Sequence, residues 1–286
     1  MNLRLGVIVP YFSHWPYLEE TLESLLNQSY RNWEAVVIND SGSPLLTEQV
    51  SQISSDARVT LLENATNLGL ARTWNRGIAH FLQRGADVVS IVHADDVLHR
   101  DFLLRSADAH QRHPQCALVH TAVSVISGDG RPSITLRDIV KRLNRPRAYR
   151  GEFFTEGDHG LGKLLRANYI FCPTISFKSH ILQPNFFDET LKMVLDLDVT
   201  TRLLLNGDQF VGLTKRIYRY RRHSSSLTAQ YTRDALRFKE EHALYSRIAV
   251  RAQDSGFHKS ARAGQQQVIL RIHKLIRAVG KMLRRG

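Results

Sequence analysis

The stretch Leu5-Gly-Val-Ile-Val-Pro10, near the start of the chain, decides the fold class. It is too short for a helix and rich in β-branched residues, so it predicts a buried strand. Pro16, which the first turn of a helix tolerates, then begins a segment with apolar residues at helical spacing. Further strands are predicted at 33–38, 58–62, 87–92 and 117–126, and further helices at 70–84 and 102–111. Strands alternating with helices of this length predict an α/β fold with a mainly parallel sheet.

Acidic residues follow two of these predicted strands. Asp40 comes after the strand at 33–38, and Asp95 and Asp96 come after the strand at 87–92. Ligands of open α/β sheets bind outside the carboxyl ends of the strands. We therefore expect the three carboxylates to meet in one crevice.

Two adjacent carboxylates after a buried strand are costly to hold together, because like charges raise each other's pKa unless a cation offsets them. A divalent metal is the usual remedy, and Mg²⁺ favours one or two carboxylates together with phosphate oxygens and water. The alternative is that Asp95 or Asp96 caps the following helix.

Asp40 alone is ambiguous, because it could hydrogen-bond a ribose or simply form the turn Asn39-Asp-Ser-Gly42. A dinucleotide site would need Gly-x-Gly-x-x-Gly after the first strand, and the turn there is Pro10-Tyr-Phe-Ser-His14. A P-loop is also missing from the sequence. A bound nucleotide must therefore be held through a metal and side chains.

The formal net charge is +12, which is typical of nucleic-acid-binding proteins. Eight Lys or Arg residues and no Asp or Glu lie in 255–286, so the rest of the chain carries only +4. This distribution argues against a nucleic-acid partner. No stretch is long and apolar enough to span a membrane, and we expect no signal peptide. Two cysteines are too few for a disulfide scaffold, so a cytoplasmic location is expected.

The chain resembles a family 2 glycosyltransferase of the non-processive bacterial type. The resemblance covers about residues 5–230 and implies a GT-A-like (Rossmann-like) fold. The motifs that carry it occur in the family's order: Val7-Ile-Val-Pro-Tyr11, Leu22-Glu-Ser-Leu-Leu-Asn-Gln-Ser-Tyr30, Asn39-Asp-Ser-Gly42, Asn67-Leu-Gly69, Ala71-Arg72, Asn75-Arg-Gly77, His93-Ala-Asp-Asp96, Phe187-Asp-Glu189, Asp196-Leu-Asp198, Arg202, Gly207, Tyr220-Arg-Arg-His223 and Ser226.

The resemblance implies a donor-nucleotide site. Asp40 would contact the base, Arg72 the nucleotide, and Pro10 and Tyr11 would line the pocket. Asp95 corresponds to the last position of the family's Asp-x-Asp motif and would bind the donor through a divalent metal, Mn²⁺ or Mg²⁺.

His93 takes the first position of that motif, so one carboxylate fewer lies near the metal. His223 corresponds to a histidine that approaches the metal or the diphosphate, and Asp96 would support the site or cap a helix. Arg221 and its arginine neighbours suit a diphosphate, because arginine pairs bidentately with phosphate oxygens. The alternative for this segment is a basic surface loop.

Asp196 corresponds to the aspartate of the family's Glu-Asp catalytic motif, with Leu195 in place of the glutamate. Its implied role is to accept the proton of a sugar hydroxyl as that hydroxyl attacks the anomeric carbon. The alternative is a surface aspartate. Asp198 and Arg202, at i,i+4 spacing, fit a pair on one helix face.

The remaining segments give the domain organisation. Residues 1–230 are predicted to form the transferase domain and 231–286 a C-terminal helical region. Residues 127–167 are expected to form a mobile excursion in which 152–165 act as a lid over the acceptor. Strands are expected at 170–177 and 210–220, and helices at 191–206, 234–252 and 265–285. The last helix is basic and amphipathic, so it would lie on an anionic membrane or pack on the domain.

The sequence therefore predicts an inverting, metal-dependent transferase. It would move one sugar from a nucleotide-sugar donor to a saccharide or lipid-linked acceptor in surface polysaccharide or glycolipid synthesis. The expected location is cytoplasmic, with peripheral contact at the inner face of the cell membrane. Two rival hypotheses are an inactive, membrane-associated scaffold of the same fold and a basic nucleic-acid-binding protein.

Overall fold

A computed structural model describes residues 2–227, 229, 231, 236–268, 270 and 271. Nine strands lie within these residues, and all of them join one sheet. Their bounds are β1 Leu5–Tyr11, β2 Trp33–Asn39, β3 Val59–Glu63, β4 Val88–Ile91, β5 Val97–Leu98, β6 Leu118–Ser127, β7 Glu152–Thr155, β8 Ser176–Lys178 and β9 Phe210–Arg222.

The α-helices of the described residues flank this sheet. Their bounds are α1 Trp15–Leu26, α2 Thr47–Ile53, α3 Leu70–Gln83, α4 Phe102–Arg112, α5 Leu136–Asn144, α6 Gly157–Arg166, α7 Leu195–Leu205, α8 Leu236–Asp254 and α9 His258–Gln266. The predicted α/β fold is confirmed, and the predicted strand and helix bounds in the first 126 residues agree within about two residues at each end.

The sheet has the order β3-β2-β1-β4-β8-β6-β9-β5, with β7 also paired to β9. Its first four strands are parallel. The other half is mixed, because β8 runs antiparallel to both β4 and β6, whereas β6 and β9 are parallel. Strands β6 and β9 therefore run in the same direction as β4, and their carboxyl ends lie at the same edge of the sheet as those of β1, β2 and β4. The candidate site lies at this edge.

Both faces of the sheet are covered, which explains why β1 is a continuous apolar run. Val7 and Val9 point into one core, which they share with helices α1 and α4. Ile8 points into the opposite core, formed with α3, α6, α7 and α8. This alternation is the two-residue period of a strand.

Helix α3 lies very close to β1. A Cβ atom added at Gly77 would come within 2.6 Å of the Ile8 side chain, and one at Gly6 within 2.5 Å of the Phe81 ring. Only glycine fits at these two contacts, so they fix the height of α3 above the sheet. The first turn of α3 carries Arg72.

The expected mobile excursion at 127–167 is wrong, because this segment contains α5, β7 and α6. The expected lid at 152–165 is also wrong, since β7 hydrogen-bonds to β9 and its Phe153 is buried, as are Leu161, Leu164 and Leu165 of α6. The strand expected at 170–177 is shorter than predicted. A 3-10 turn at Cys172–Thr174, which contains Pro173, precedes β8.

The C-terminal helices pack on the sheet domain. Leu244, Tyr245 and Ile248 of α8 and Ala263 of α9 belong to the same core as Ile8. Helix α9 ends at Gln266, and most of the basic helix expected at 265–285 lies outside the described residues. Among the residues that the structure describes, no helix has the length and apolar character needed to cross a membrane.

Candidate active site

The site lies where β1, β2 and β4 end. The amide of Asp40 donates to the Tyr11 carbonyl over 2.7 Å, and the amide of Val92 donates to the Ile8 carbonyl over 2.9 Å. These bonds continue the parallel pairing past the strands. They place the loops that carry Asp40 and Asp95 on either side of the end of β1.

Asp95 is the centre of a group of potential metal ligands. The side chains of His93, Asp95 and Asp96 each offer one ligand atom, and these atoms lie within 4.8 Å of one another. His223, directly after β9, brings its Nε2 to 2.8 Å from Asp95 Oδ2. The long strand β9 thus carries His223 back to the end of β4.

Both carboxylate oxygens of Asp96 already accept hydrogen bonds from the protein. Its side chain is fully buried, and its two oxygens accept from the Arg221 amide over 2.7 Å and from the Tyr218 hydroxyl over 2.9 Å. It does not cap α4, whose N-cap is Asp101. The cap alternative for Asp96 is therefore wrong, and its carboxylate fixes the 93–96 loop to β9.

The pKa values of the two neighbouring carboxyl groups shift in opposite directions. Burial, followed by the charge of Asp95, raises the pKa of Asp96 well above its usual range. Burial also opposes the charge of Asp95, but the hydrogen bond from His223 and the charges of His93 and His223 outweigh it and lower the pKa of Asp95. The negative charge of the pair is thus concentrated on Asp95, the more exposed of the two. Burial lowers the pKa of His93, which favours the neutral, ligating form of the ring.

Arg221 supports the loop rather than facing the crevice. Its guanidinium donates to the Asp95 carbonyl over 2.8 Å, to the Gly128 carbonyl over 2.9 Å and to Glu20 Oε2 over 2.5 Å. It lies 4.5 Å above the centre of the Tyr17 ring. With its three nitrogens engaged, the buried Arg221 is not placed to clamp a diphosphate, which corrects that part of the sequence interpretation.

His14 extends the network around His223, and the sequence interpretation missed it. Ser225 Oγ lies 2.8 Å from His223 Nδ1 and 3.1 Å from His14 Nε2. The two imidazole rings are 5.6 Å apart. His14 adopts φ 69° at the N-cap of α1, a conformation uncommon outside glycine. Nothing in the sequence around His14 signals this backbone conformation, so the contact of His14 with the His223 network could not be predicted.

Asp40 organises the loop before α3. Its carboxylate accepts from the Asn64 side chain over 2.7 Å and from the amides of Leu68 and Gly69 over 2.8 and 3.0 Å. The turn alternative for Asp40 is thus too simple, because the side chain ties two distant loops together. The nearby Tyr11 ring is buried edge-on against Trp15, with ring centres 6.1 Å apart, and the preceding Pro10 is half-buried at the end of β1.

Arg72, in the first turn of α3, is an exposed cation. Its Nε donates to Glu189 Oε2 over 3.0 Å, and its side chain is 60% exposed. Asn75, also on α3, holds the segment that carries Glu189. Its side-chain nitrogen donates to the Phe187 carbonyl and its side-chain oxygen accepts from the Phe187 amide, each over 2.9 Å. Two motifs that are more than 100 residues apart in sequence are thereby joined.

Asp196 lies in the first turn of α7 and is half-buried. Burial raises the pKa of its carboxyl group, and the positive charges of Lys141 and Arg237 partly oppose that rise. Burial raises the pKa of the Cys172 thiol and the charge of Asp196 raises it further, so this thiol lies near that carboxylate. Lys141, on α5, was missed because its segment was expected to be irregular.

Asp198 has a structural environment. The buried carboxylate accepts from Arg202 over 2.8 Å and from Arg247 over 2.6 Å. The predicted helix-face pair of Asp198 and Arg202 is confirmed. The additional partner on α8 joins α7 to the C-terminal helices.

The mixed sheet, its flanking helices and the acidic loop after β4 define a GT-A glycosyltransferase fold. The structure of residues 1–349 of TarS from S. aureus, in complex with UDP-GlcNAc, matches with a TM-score of 0.67 and 19% identity, over 93% of this chain and 70% of that one. The mannosyltransferase PcManGT of Pyrobaculum calidifontis, in complex with GDP-Man and Mn²⁺, matches with a TM-score of 0.63 and 17% identity, over 98% and 76%.

The chain belongs to glycosyl transferase family 2, whose model matches residues 6–166, more than half of its length. The putative teichuronic acid biosynthesis glycosyltransferase TuaG of Bacillus subtilis is 24% identical over 232 residues, which cover 79% of this chain and 81% of that protein. An uncharacterized glycosyltransferase of Haemophilus influenzae is 35% identical over 78 residues. That match covers 27% of this chain and only 24% of that protein.

Proposed function

We propose that this chain transfers one sugar, with inversion, from a nucleotide-sugar donor to a hydroxyl group of a saccharide or lipid-linked acceptor. The observation that carries the proposal is the position of Asp95 just after β4, with His93 and His223 beside it. Family membership supports the reaction class. The names of the matched proteins, which mention UDP-GlcNAc, GDP-Man and teichuronic acid, support the donor class and a role in polysaccharide synthesis.

The residues around Asp95 fit a divalent metal. The atoms that lie together here are a carboxylate oxygen and imidazole nitrogens, which divalent metals accept as ligands: His223 Nε2 is 2.8 Å from Asp95 Oδ2, and the His93 ligand atom lies within 4.8 Å of that of Asp95. Asp95, His93 and His223 would hold Mn²⁺ or Mg²⁺, whereas Asp96 is already bonded on both oxygens. When bound, such an ion offsets the negative charge of the leaving nucleoside diphosphate.

The donor nucleotide would lie between the Asp40 loop and Arg72. Arg72 is an exposed cation there, and Glu189 holds it through Nε, which leaves its two terminal nitrogens without a hydrogen-bond partner among the described residues. Asp40 and Tyr11 shape the floor, and the Asp40 carboxylate keeps the 64–69 loop in place.

Asp196 would accept the proton of the acceptor hydroxyl. Its raised pKa makes it a better proton acceptor than an ordinary aspartate, and the positive charges of Lys141 and Arg237 partly oppose the effect of burial. Leu195, in place of a second carboxylate, leaves Asp196 without an acidic neighbour in the sequence motif.

Turnover of nucleotide-sugars by the purified chain tests the proposal, with nucleoside diphosphate release as the readout. Metal-dependent turnover of one donor supports it. Binding of a nucleotide without turnover of any donor, with or without acceptors, would indicate the inactive scaffold. We place the protein in the cytoplasm, a proposal supported by its two free cysteines.

A further inference from the structure

Helix α5 turns an apolar face to solvent. Six of the twelve exposed large apolar side chains in the described chain lie between residues 134 and 149. Leu136, Ile139, Val140 and Leu143 follow the i, i+3, i+4, i+7 pattern of one helix face, and Leu136 and Leu143 are 73% and 79% exposed. In a globular protein such a face normally packs on the core, so its exposure indicates a binding surface.

The polar face of α5 is the one that attaches the helix to the protein. Asp138 accepts two hydrogen bonds from Arg222, over 2.8 and 2.6 Å, and forms a capping box with Thr135. The Asn144 side chain donates to the carbonyls of Lys163 and Ala167 over 2.7 and 2.8 Å. Lys141 lies 4.1 Å from the centre of the Phe171 ring. Because ion pairs and hydrogen bonds hold it, the helix has a fixed orientation with the apolar side outward.

The same segment is strongly basic. Residues 131–150 contain seven Lys or Arg residues and one acid, Asp138, whose charge is engaged by Arg222. Arg142, Arg147 and Arg150 are exposed. Exposed cations beside an apolar helix face complement a surface that is apolar within and negatively charged at its boundary.

We propose that α5, together with Ile134 and Tyr149, docks on an anionic lipid bilayer and lies in its interface. This surface is distinct from the basic helix expected at 265–285. Docking does not depend on the proposed sugar transfer, and it is tested by binding alone. It would place Lys141 and Asp196, on the inner side of α5, next to the bilayer surface, where a lipid-linked acceptor is presented.

Flotation with vesicles of phosphatidylcholine and phosphatidylglycerol tests the apolar face in the full chain. The wild type should bind, and the double variant L136Q/L143Q should lose affinity at least about tenfold, because two leucine side chains no longer enter the bilayer. Val250→Gln removes a 62% exposed apolar residue from α8 and should bind like the wild type. Equal binding by L136Q/L143Q and Val250→Gln would overturn the proposal.

The lipid charge and the cations test electrostatic complementarity. Binding should weaken on vesicles of phosphatidylcholine alone, and R142Q/R147Q should lower affinity for the anionic vesicles about 30-fold, at about 1 kcal/mol per basic residue near the surface. Arg31 is exposed just before β2 and lies outside the basic segment, so Arg31→Gln should have no effect. A binding strength independent of both lipid charge and R142Q/R147Q would contradict an anionic bilayer as the occupant.

A tryptophan in the face reports whether this helix itself enters the lipid. Fluorescence of Ile139→Trp should shift to shorter wavelength on the anionic vesicles and be quenched by brominated acyl chains. An unshifted spectrum with bound protein would mean that another segment, such as 265–285, makes the contact. Wild-type dimers that become monomers in L136Q/L143Q, without vesicle binding, would assign the face to a second copy of the chain and overturn the proposal.

Discussion

Asp95 and Asp96 are neighbours in the chain, but their side chains have different functions. Asp96 is buried and bonded by Tyr218 and Arg221, so it holds the loop to β9. Asp95 keeps its charge beside two histidines. The sequence predicted that the pair lies at a strand end, but it could not assign the two roles, because the donors to Asp96 come from a strand more than 100 residues away.

Substitution should distinguish the structural role of Asp96 from the metal-binding role proposed for Asp95. Asp96→Ala leaves a buried hydroxyl and a buried amide without acceptors, and the free energy of unfolding should fall by about 2–4 kcal/mol. Asp95→Ala should change it by less than about 1 kcal/mol, because its ion pair is partly exposed, yet abolish metal-dependent nucleotide binding. Urea denaturation and nucleotide titration of both variants measure this. Equal destabilisation would contradict the assignment.

The second residue-scale prediction concerns the proposed base. Asp196→Asn should lower kcat by about 10²–10⁴ and keep donor binding, because general-base catalysis contributes that much. Steady-state kinetics and donor titration check it, with the exposed Asp254→Asn as the control. Retained turnover in Asp196→Asn would remove this carboxylate from the mechanism.

The pH profile tests the environment of Asp196. Only the ionised carboxylate accepts a proton, so the rate should fall as pH drops through a pKa above the usual 3.8. Lys141 opposes this rise, so Lys141→Met should move the acidic limb to higher pH. Lys239→Met, at an exposed position on α8, should leave the profile unchanged. A limb that does not move with Lys141→Met would show that the base is another group.

At the scale of elements, the sequence predicted the strands that consist of long apolar runs. It did not predict the short helices that contain many polar residues or glycines. β1 and β2 are buried on both faces, so burial alone produces their apolar runs. The apolar residues of α5 do have helical spacing, but this helix has only nine residues and lies in a segment with prolines and many Arg or Lys residues, and α6 contains three glycines. For this reason the sequence predicted an excursion at 127–167 where the structure has helices and a strand.

The loop before α3 allows a prediction about this element. Gly69 has φ 82° and donates its amide to Asp40. Gly69→Ala should lower the free energy of unfolding by about 1–2 kcal/mol, because a Cβ atom disfavours this conformation, and should weaken nucleotide binding. Gly85→Ala likewise places a Cβ atom at a positive φ, 69°, beyond α3 and serves as the control. Calorimetry should find weaker nucleotide binding in Gly69→Ala alone; equal binding by both variants would separate the loop from the site.

At the scale of the whole molecule, the pairing of β4, β8, β6 and β9 was not predictable, because strand sequences carry little information about their neighbours. The same holds for the contact of α8 with the sheet domain. Asp198, which the resemblance places beside the catalytic aspartate, instead joins α7 to α8 through Arg247. We propose that the predicted boundary near residue 231 separates two sequence regions that unfold together.

Removal of this link tests the joint unfolding. Arg247→Ala takes one charged hydrogen bond from a buried carboxylate, so the free energy of unfolding should fall by about 2 kcal/mol. Arg251→Ala, at an exposed position on the same helix, should cost much less. Urea denaturation of the wild type should give a single transition with the same midpoint by fluorescence and by circular dichroism. Two separate transitions would contradict joint unfolding.

The central claim is that the edge formed by β1, β2 and β4 binds a donor nucleotide through Asp95 and a divalent metal. A thermal-shift titration of nucleoside diphosphates and nucleotide-sugars, with and without Mn²⁺, tests it most directly. One nucleotide at saturating concentration should raise the melting temperature by about 5 °C only when Mn²⁺ is present, and Asp95→Ala should remove the shift. No shift with any nucleotide, or an equal shift in Asp95→Ala, would contradict the claim.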